Sequence, residues 1–200
     1  RLAILGASGH GKVAADCAQE CGWDEIVFFD DFRPTGFVNG HWRVEGNTSD
    51  LLKMHARYDG LIVAIGDNRV REEKIRVFLH AGASLATLVH PRAAVSRYAA
   101  LGTGSVVFAG AIINVDVRIG LGAIINTGAT VDHDCVLGDA VHISPGAHLA
   151  GGVKVGHRTW VGIGASIRQL TEIGNDVMVG AGAAVVSRVP DGLTVVGVPA

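Results

Sequence analysis

The chain reads as two units of different grammar: a small parallel, Rossmann-like α/β domain over residues 1–88, then a parallel β-helix with a closing tail over residues 89–200. Two observations carry the second unit. From Val89 to Val185 an aliphatic residue recurs at every sixth position, seventeen times without a miss. Val, Ile and Leu make up roughly a quarter of an ordinary chain, so chance does not produce such a series. Gly follows the aliphatic residue at Gly102, Gly120, Gly138, Gly156 and Gly174, eighteen residues apart. Six residues per side and eighteen per turn describe a triangular solenoid. A third observation carries the first unit: short apolar runs alternate with helical stretches, as in a parallel sheet with crossover helices.

Taken in order, Leu2–Leu5 is expected as a buried strand, followed by the turn Gly6-Ala7-Ser8-Gly9-His10-Gly11 and a helix over Lys12–Cys21 that Gly22 ends. Glu25–Phe29 reads as a second strand closed by Asp30-Asp31, and Gly36, Asn39 and Gly40 mark a loop. Ser49–Ala56 reads as a short helix with Thr48 or Ser49 as N-cap. Leu61–Ile65 is the third strand, Arg69–Ala81 a helix and Ser84–Val89 a last strand. His90-Pro91 falls where the six-residue period starts, with no Gly/Ser linker, so the two units are expected to pack together. In the solenoid the periodic aliphatic residue points inward. The position four later is small or narrow (Ala111, Ala123, Cys135, Ala147), because a narrow prism has no room there. The glycines at every third corner are expected to supply positive φ. Pro190–Ala200 leaves the period and is expected to lie over the solenoid's end. Apolar groups on flat faces, and open coil ends, are most simply covered by self-association about a three-fold axis.

A net charge of −2 gives no reason to expect nucleic acid or an anionic membrane as partner. The longest clean apolar runs, such as Leu61–Ile65, are far too short for membrane insertion. The three cysteines are an odd number without metal-like pairing, and Cys17 and Cys21 share a helical face. With no leader visible before Leu2, a reducing cytoplasm is the expected location.

Glycines between a strand and a helix let backbone N–H groups reach an anion at the helix N-terminus. The spacing is G-x-x-G-x-G rather than the dinucleotide G-x-G-x-x-G, which weakens the case for NAD and leaves a phosphate-bearing ligand open, with a plain tight turn as the competing explanation. Asp30 and Asp31 end the second strand, where a carboxylate meets the sugar or base of a nucleotide, and Gly66 follows the third strand at the same sheet edge. The solenoid carries Asp132-His133-Asp134, then His142 and His148. An imidazole beside a carboxylate suits general-base work, with Asp132 and Asp134 both eligible as its partner. For Asp134 to reach its neighbour, one of the two must sit at a corner. His133 and His142 are nine residues apart, half a coil, so they cannot stack within one subunit. The His142/His148 spacing makes no ligand motif, and no metal is expected.

Together, Gly6–Val13, Phe29-Asp30-Asp31, Ala64–Asn68, Asn126-Thr127, Val131–Cys135, Val141–Ala147 and the closing Val196–Ala200 make the chain resemble a bacterial class along essentially its whole length. The class is the hexapeptide-repeat nucleotide-sugar acyltransferases: the sialic-acid O-acetyltransferases and, more closely, the UDP-4-amino-sugar N-acetyltransferases of protein glycosylation. The resemblance implies a left-handed β-helix, a homotrimer and acetyl-CoA as co-substrate. It further implies acetyl transfer to the 4-amino group of a UDP-4-amino-4,6-dideoxy-N-acetyl-hexosamine of the diacetylbacillosamine-type pathway. A GDP-linked amino sugar or a sialic acid is the alternative acceptor. Carried over by position, His133 would be the general base, and Asp134, where the family often has Glu, would tune it. His142 would meet the thioester end of acetyl-CoA, with Gly151 and Ile163 lining the CoA channel. Ser8, Gly9 and His10 would hold diphosphate and sugar, Asp30 and Asp31 the uridine, and Gly66 the same pocket. Direct transfer needs no acyl-enzyme, and Cys135 sits at a narrow inward position. Two readings of another class stand beside this one: a trimeric β-helix metalloenzyme and a nucleotide-sugar-binding protein without catalysis.

Overall fold

The computed structural model describes residues 1–200. The first part runs β1 (Leu2–Leu5), α1 (Gly9–Glu20), β2 (Ile26–Phe29), β3 (Val38–Asn39), β4 (Trp42–Gly46), α2 (Thr48–Met54), β5 (Gly60–Val63) and α3 (Asn68–His80). The sheet order is β3-β4-β2-β1-β5; all neighbours are parallel except β3 and β4, which form an antiparallel hairpin at the edge. Strands β1, β2 and β5 are buried at every position, so they read as unbroken apolar runs rather than alternating ones. One side of the sheet, with Ala3, Val27, Phe29 and Val63, packs on Leu51, Ile75 and Phe78 of α2 and α3. The other side, with Leu2, Ile4, Phe28 and Ile62, packs on α1 and on the solenoid.

Four local expectations need correction. The segment marked by Gly36, Asn39 and Gly40 forms the β3–β4 hairpin: β3 is too short to show a period, while β4 alternates, with Trp42, Val44 and Gly46 buried and Arg43 and Glu45 exposed. The N-cap of α2 is Asn47, in a reciprocal box: its side chain accepts from Asp50 N–H at 3.1 Å, and Asp50 Oδ2 accepts from Asn47 N–H at 3.2 Å. Helix α1 begins at Gly9, which places His10 in its first turn. Ser84–Val89 does not complete the α/β sheet. Only a single bridge joins Leu85 to Leu61, while Leu88–Val89 pairs with Val106–Val107 and opens the solenoid.

The remainder is a left-handed β-helix of two-residue strands stacked in three parallel sheets of six, five and seven strands. Registers advance by eighteen residues, as in Ile112↔Thr130 and Ile124↔His142. The inward aliphatic residues and the narrow residues four positions later form one 26-residue core. The third residue after the periodic aliphatic adopts φ between +53° and +74° at fourteen successive corners, Gly104 to Gly182. Six of those corners are not glycine: Asp116, Asp134, Ala140, Arg158, Leu170 and Asp176.

The eighteen-residue glycines do something else. Gly102, Gly120, Gly138, Gly156 and Gly174 are not at positive φ. A Cβ on Gly138 would stand 2.7 Å from His157 N, and one on Gly156 2.5 Å from the Gly174 carbonyl carbon. They are glycine because successive coils approach backbone to backbone at this corner. In the tail, Thr194–Val195 pairs with Met178–Val179 as the last strand of the seven-stranded sheet, and Ala200 packs against the solenoid core.

That seven-stranded face receives the α/β domain. Its outward column runs Leu88, Val106, Ile124, His142, Trp160, Met178, and the first three are buried in the core shared with β1 and α1. Helix α3 grips the adjacent corner. Arg71, 1 % exposed, donates through Nε to Gly122 O (2.9 Å) and through Nη2 to Ala140 O (2.7 Å), and Asn68 Nδ2 donates to Arg158 O (2.9 Å). The three acceptors are the left-handed corner residues of consecutive coils.

Candidate active site

The first group lies at the C-terminal ends of β1, β2 and β5. The chain moves from β1 to β2 on one side and later returns to β5 on the other, and such a reversal is where open α/β sheets hold ligands. A cavity of about 380 Å³ opens there, lined by Gly6, Ser8, Asp30, Asp31, Phe32 and Gly66 among others. The glycines divide by role. A Cβ on Gly6 would stand 2.6 Å from Ala64 O, and Gly11 leaves no room for one against Gly6 O, so these two close the turn. Gly9 and Gly66 face open space. Ser8 caps α1 without a side-chain bond, and the N–H groups of Gly9, His10 and Gly11 have no backbone acceptor.

The two aspartates already have internal partners. Asp30 Oδ2 accepts from Ala7 N–H (2.6 Å), and its Oδ1 accepts from Phe32 N–H (2.8 Å) and Arg33 N–H (3.0 Å). Asp31 accepts from Thr48 N–H and hydroxyl, both at 2.8 Å, and from Lys74 Nζ at 3.0 Å. Burial works against the Asp31 charge, but these donors outweigh it and hold the carboxyl below its ordinary pKa.

The second group is His133 with Asp134. Asp134 occupies a corner at φ 60°, which turns its side chain back onto its neighbour: Oδ2 lies 2.7 Å from His133 Nδ1. Asp132 is engaged otherwise, accepting from His133 N–H (2.8 Å) and Asn114 Nδ2 (2.7 Å). The Asp134 hydrogen bond, then the Asp132 charge, raise the His133 pKa above the usual histidine value. One coil on, a Cβ at Gly151 would stand 2.5 Å from His133 Nε2, so the missing side chain leaves that ring atom open. The Gly151 N–H has no backbone acceptor.

The third group is His142, in the outward column below Ile124. It is 6 % exposed and stacks on Trp160 at 4.3 Å, with the His10 ring at 6.3 Å. Asn126 Oδ1 accepts from Thr127 N–H at 2.9 Å, which turns its Nδ2 toward His142 Nε2 at 3.1 Å. His142 Nε2 therefore accepts, the ring proton sits on Nδ1, and Nδ1 is buried without a partner. Burial, then the charges of Arg71 and His10, push the His142 pKa down to about 3. Burial and Arg71 push His10 down to about 4. Both rings are neutral at physiological pH. His142, Asn126 and Trp160 line a cavity of about 300 Å³ together with the exposed Ile163 and Met178.

Within one chain these groups are not all together. His10 and His142 meet at the domain junction. His133 and Gly151 stand at the corner between the six- and five-stranded sheets, opposite the seven-stranded face that carries His142. A hollow of about 620 Å³ along Val136, Lys154 and Glu172 contains none of the expected site residues.

Residues 1–78 match the family model described as the PglD N-terminal domain. The chain is similar to the acetyltransferase domain of PglB from Neisseria gonorrhoeae FA1090, solved in complex with acetyl coenzyme A. Identity is 46 % and the TM-score 0.94, covering 98 % of this chain and 95 % of that one. The chain belongs to the hexapeptide-repeat nucleotide-sugar acetyltransferases. PerB from Caulobacter crescentus, in complex with CoA and GDP-perosamine, is 42 % identical to this acetyltransferase over 99 % of it and 94 % of PerB, with a TM-score of 0.92. WeeI from Acinetobacter baumannii AYE is 27 % identical over 98 % and 96 %, with a TM-score of 0.89.

Several residues around the acetyltransferase's site escape sequence reasoning. Trp160 is found by adding one coil, eighteen residues, to His142. Gly151, already expected in the CoA channel, relates to His133 by the same offset, a proximity not drawn from the sequence. Asn126 as the partner of His142 and Arg71 as the junction clasp have no such signal, because their contacts cross sixteen and up to sixty-nine residues.

Proposed function

We propose that this acetyltransferase moves the acetyl group of acetyl-CoA directly to the 4-amino group of a UDP-linked 4-amino-4,6-dideoxy-N-acetyl-hexosamine. The observation that carries the reading is the exposed His133–Asp134 pair at 2.7 Å, with an unobstructed Nε2 beside a free backbone N–H. The neutral amine attacks the thioester carbonyl carbon. As the C–N bond forms, His133 Nε2 takes the amine proton, and Asp134 steadies the resulting imidazolium. The Gly151 N–H donates to the developing oxyanion. Collapse breaks the C–S bond, and the CoA thiolate takes the proton from His133. His142, held neutral, meets the thioester end without adding charge. Ile163, Trp160 and Met178 give the pantetheine chain an apolar bed.

The nucleotide sugar lies in the crevice, its diphosphate at the N-terminus of α1 against Ser8, Gly9 and His10. Asp31 and Gly66 border the nucleoside. Because His133 stands opposite the face that bears His142, a complete site takes His133 and Gly151 from one copy and His142 with the crevice from the next. A homotrimer closes three such sites. No helix is long and apolar enough to cross a membrane. We place the enzyme in the cytoplasm on its three free cysteines, which suit a reducing compartment.

A GDP-linked amino sugar is the second reading, favoured by the likeness to PerB. Thiol release from acetyl-CoA against UDP-, GDP- and CMP-linked 4-amino sugars tests both. Release with the UDP sugar and inhibition by UDP support the first reading; a GDP preference moves the assignment to the second. Absence of thiol release with every acceptor overturns acetyl transfer.

A further inference from the structure

Phe32 is 95 % exposed, whereas Phe28, Phe29, Phe78 and Phe108 are buried and Phe37 is partly so. A free-standing phenyl ring forgoes the burial that stabilises the other aromatics. Its backbone is nevertheless pinned. Asp30 Oδ1 accepts the N–H groups of Phe32 and Arg33 at 2.8 and 3.0 Å, and Oδ2 accepts that of Ala7 at 2.6 Å. One carboxylate thus ties the segment carrying Phe32 to the glycine turn.

The ring borders the 380 Å³ cavity from the β2 side, while Ile65 and Val70 border it from the β5–α3 side. Gly66 lines the same cavity, and nothing stands within 4 Å of where its Cβ would be. A slot with apolar flanks and a bare floor fits a flat π system.

We infer that Phe32 is an aromatic clamp that stacks on the nucleobase of the bound nucleotide sugar, with Asp30 holding the clamp to the diphosphate turn. The inference rests on the nucleotide-sugar reading above. Stacking uses the π face that every base presents. Phe32 therefore sets affinity for the nucleotide as such and leaves the choice between uracil and guanine to polar groups at the base edge. Lys74, bonded to Asp31 Oδ2 and Thr48 Oγ1, keeps one N–H free for that edge.

The test compares wild type, F32A and F32W by steady-state kinetics and by calorimetric titration with UDP and GDP. F32A should raise the nucleotide-sugar KM and the nucleotide Kd by roughly 5- to 150-fold. Its kcat and acetyl-CoA KM should stay within about twofold of wild type, and F32W should restore binding. Unchanged nucleotide affinity in F32A overturns the clamp, as does a fall in kcat alone. A change in sedimentation mass with unchanged Kd assigns Phe32 to a subunit contact instead. A wild type that binds no nucleotide overturns the functional reading and the clamp together; a wild type that binds while F32A binds equally well overturns only the clamp.

Discussion

His133 stands in water with Asp134 Oδ2 2.7 Å from its Nδ1, while His142 is buried on Trp160 with Asn126 at its Nε2. The first environment favours the imidazolium and raises the pKa; the second removes water and lowers it to about 3. A base must accept a proton near neutrality, so His133 qualifies and His142 does not. His133→Ala should lower kcat by about 10²- to 10⁴-fold with nucleotide binding nearly intact. Asp134→Asn is the sharper variant, because Asn tolerates positive φ while the charge is lost. Since Asp134 raises the His133 pKa, the wild-type rate should fall on acidification with a midpoint above the ordinary histidine value. In Asp134→Asn that limb should move to lower pH while kcat falls. A limb that stays in place would remove Asp134 from the mechanism.

At the scale of one coil, two kinds of glycine serve two physical needs. Gly128 sits at φ +66° with open space around the missing Cβ, so it supplies conformation only. Gly138 supplies clearance: a Cβ would meet His157 N at 2.7 Å and the Gly156 carbonyl carbon at 3.0 Å. Neighbouring coils are hydrogen-bonded on both sides of this corner, as in Gly120 N–H to Leu137 O and Gly138 N–H to Val155 O, which limits relaxation. Gly128→Ala should therefore cost about 1 kcal/mol. Gly138→Ala should cost about 3 kcal/mol, the upper end of ordinary overpacking. Denaturant titration of the two variants checks the order, and equal losses would refute the distinction.

Across the whole molecule, the seven-stranded face changes character along its length. It is apolar at Leu88, Val106 and Ile124, where the α/β domain covers it, and turns to His142, Trp160 and Met178 where the cavity begins. Arg71 sets that docking, with neutral acceptors Ile65 O, Gly66 O, Gly122 O, Asn68 Oδ1 and Ala140 O. Arg71→Ala orphans several buried carbonyls at once and should destabilise by about 3 kcal/mol or more, visible as an early transition in thermal unfolding. The proposed sharing of the site between copies of a homotrimer has its own test. His133→Ala and His142→Ala homotrimers should each be impaired, and co-refolding them in equal amounts should return activity toward about a quarter of wild type, since mixed trimers contain intact sites. No recovery on mixing would place both histidines in one subunit's site.

The six-residue period made the solenoid legible from Val89 onward, because every inward position of a narrow prism faces the same demand and repeats it. The glycine turn and the Asp132-His133-Asp134 cluster were legible as chemistry for the same local reason: residue type and spacing suffice to mark a βα turn or a histidine between carboxylates. The sequence did not say why Gly102 and its successors are glycine, since the answer is a backbone one coil away. Nor did it show that Asp30 is spent on Ala7, Phe32 and Arg33, that Asn47 caps α2, or which aspartate holds His133. Pattern and period by themselves determined a solenoid behind an α/β domain and singled out His133 and His142 among its histidines. Only the tertiary structure decided that His133 is exposed and bonded to a carboxylate while His142 is buried and neutral, because burial and hydrogen-bond partners come from chain segments that no local pattern connects.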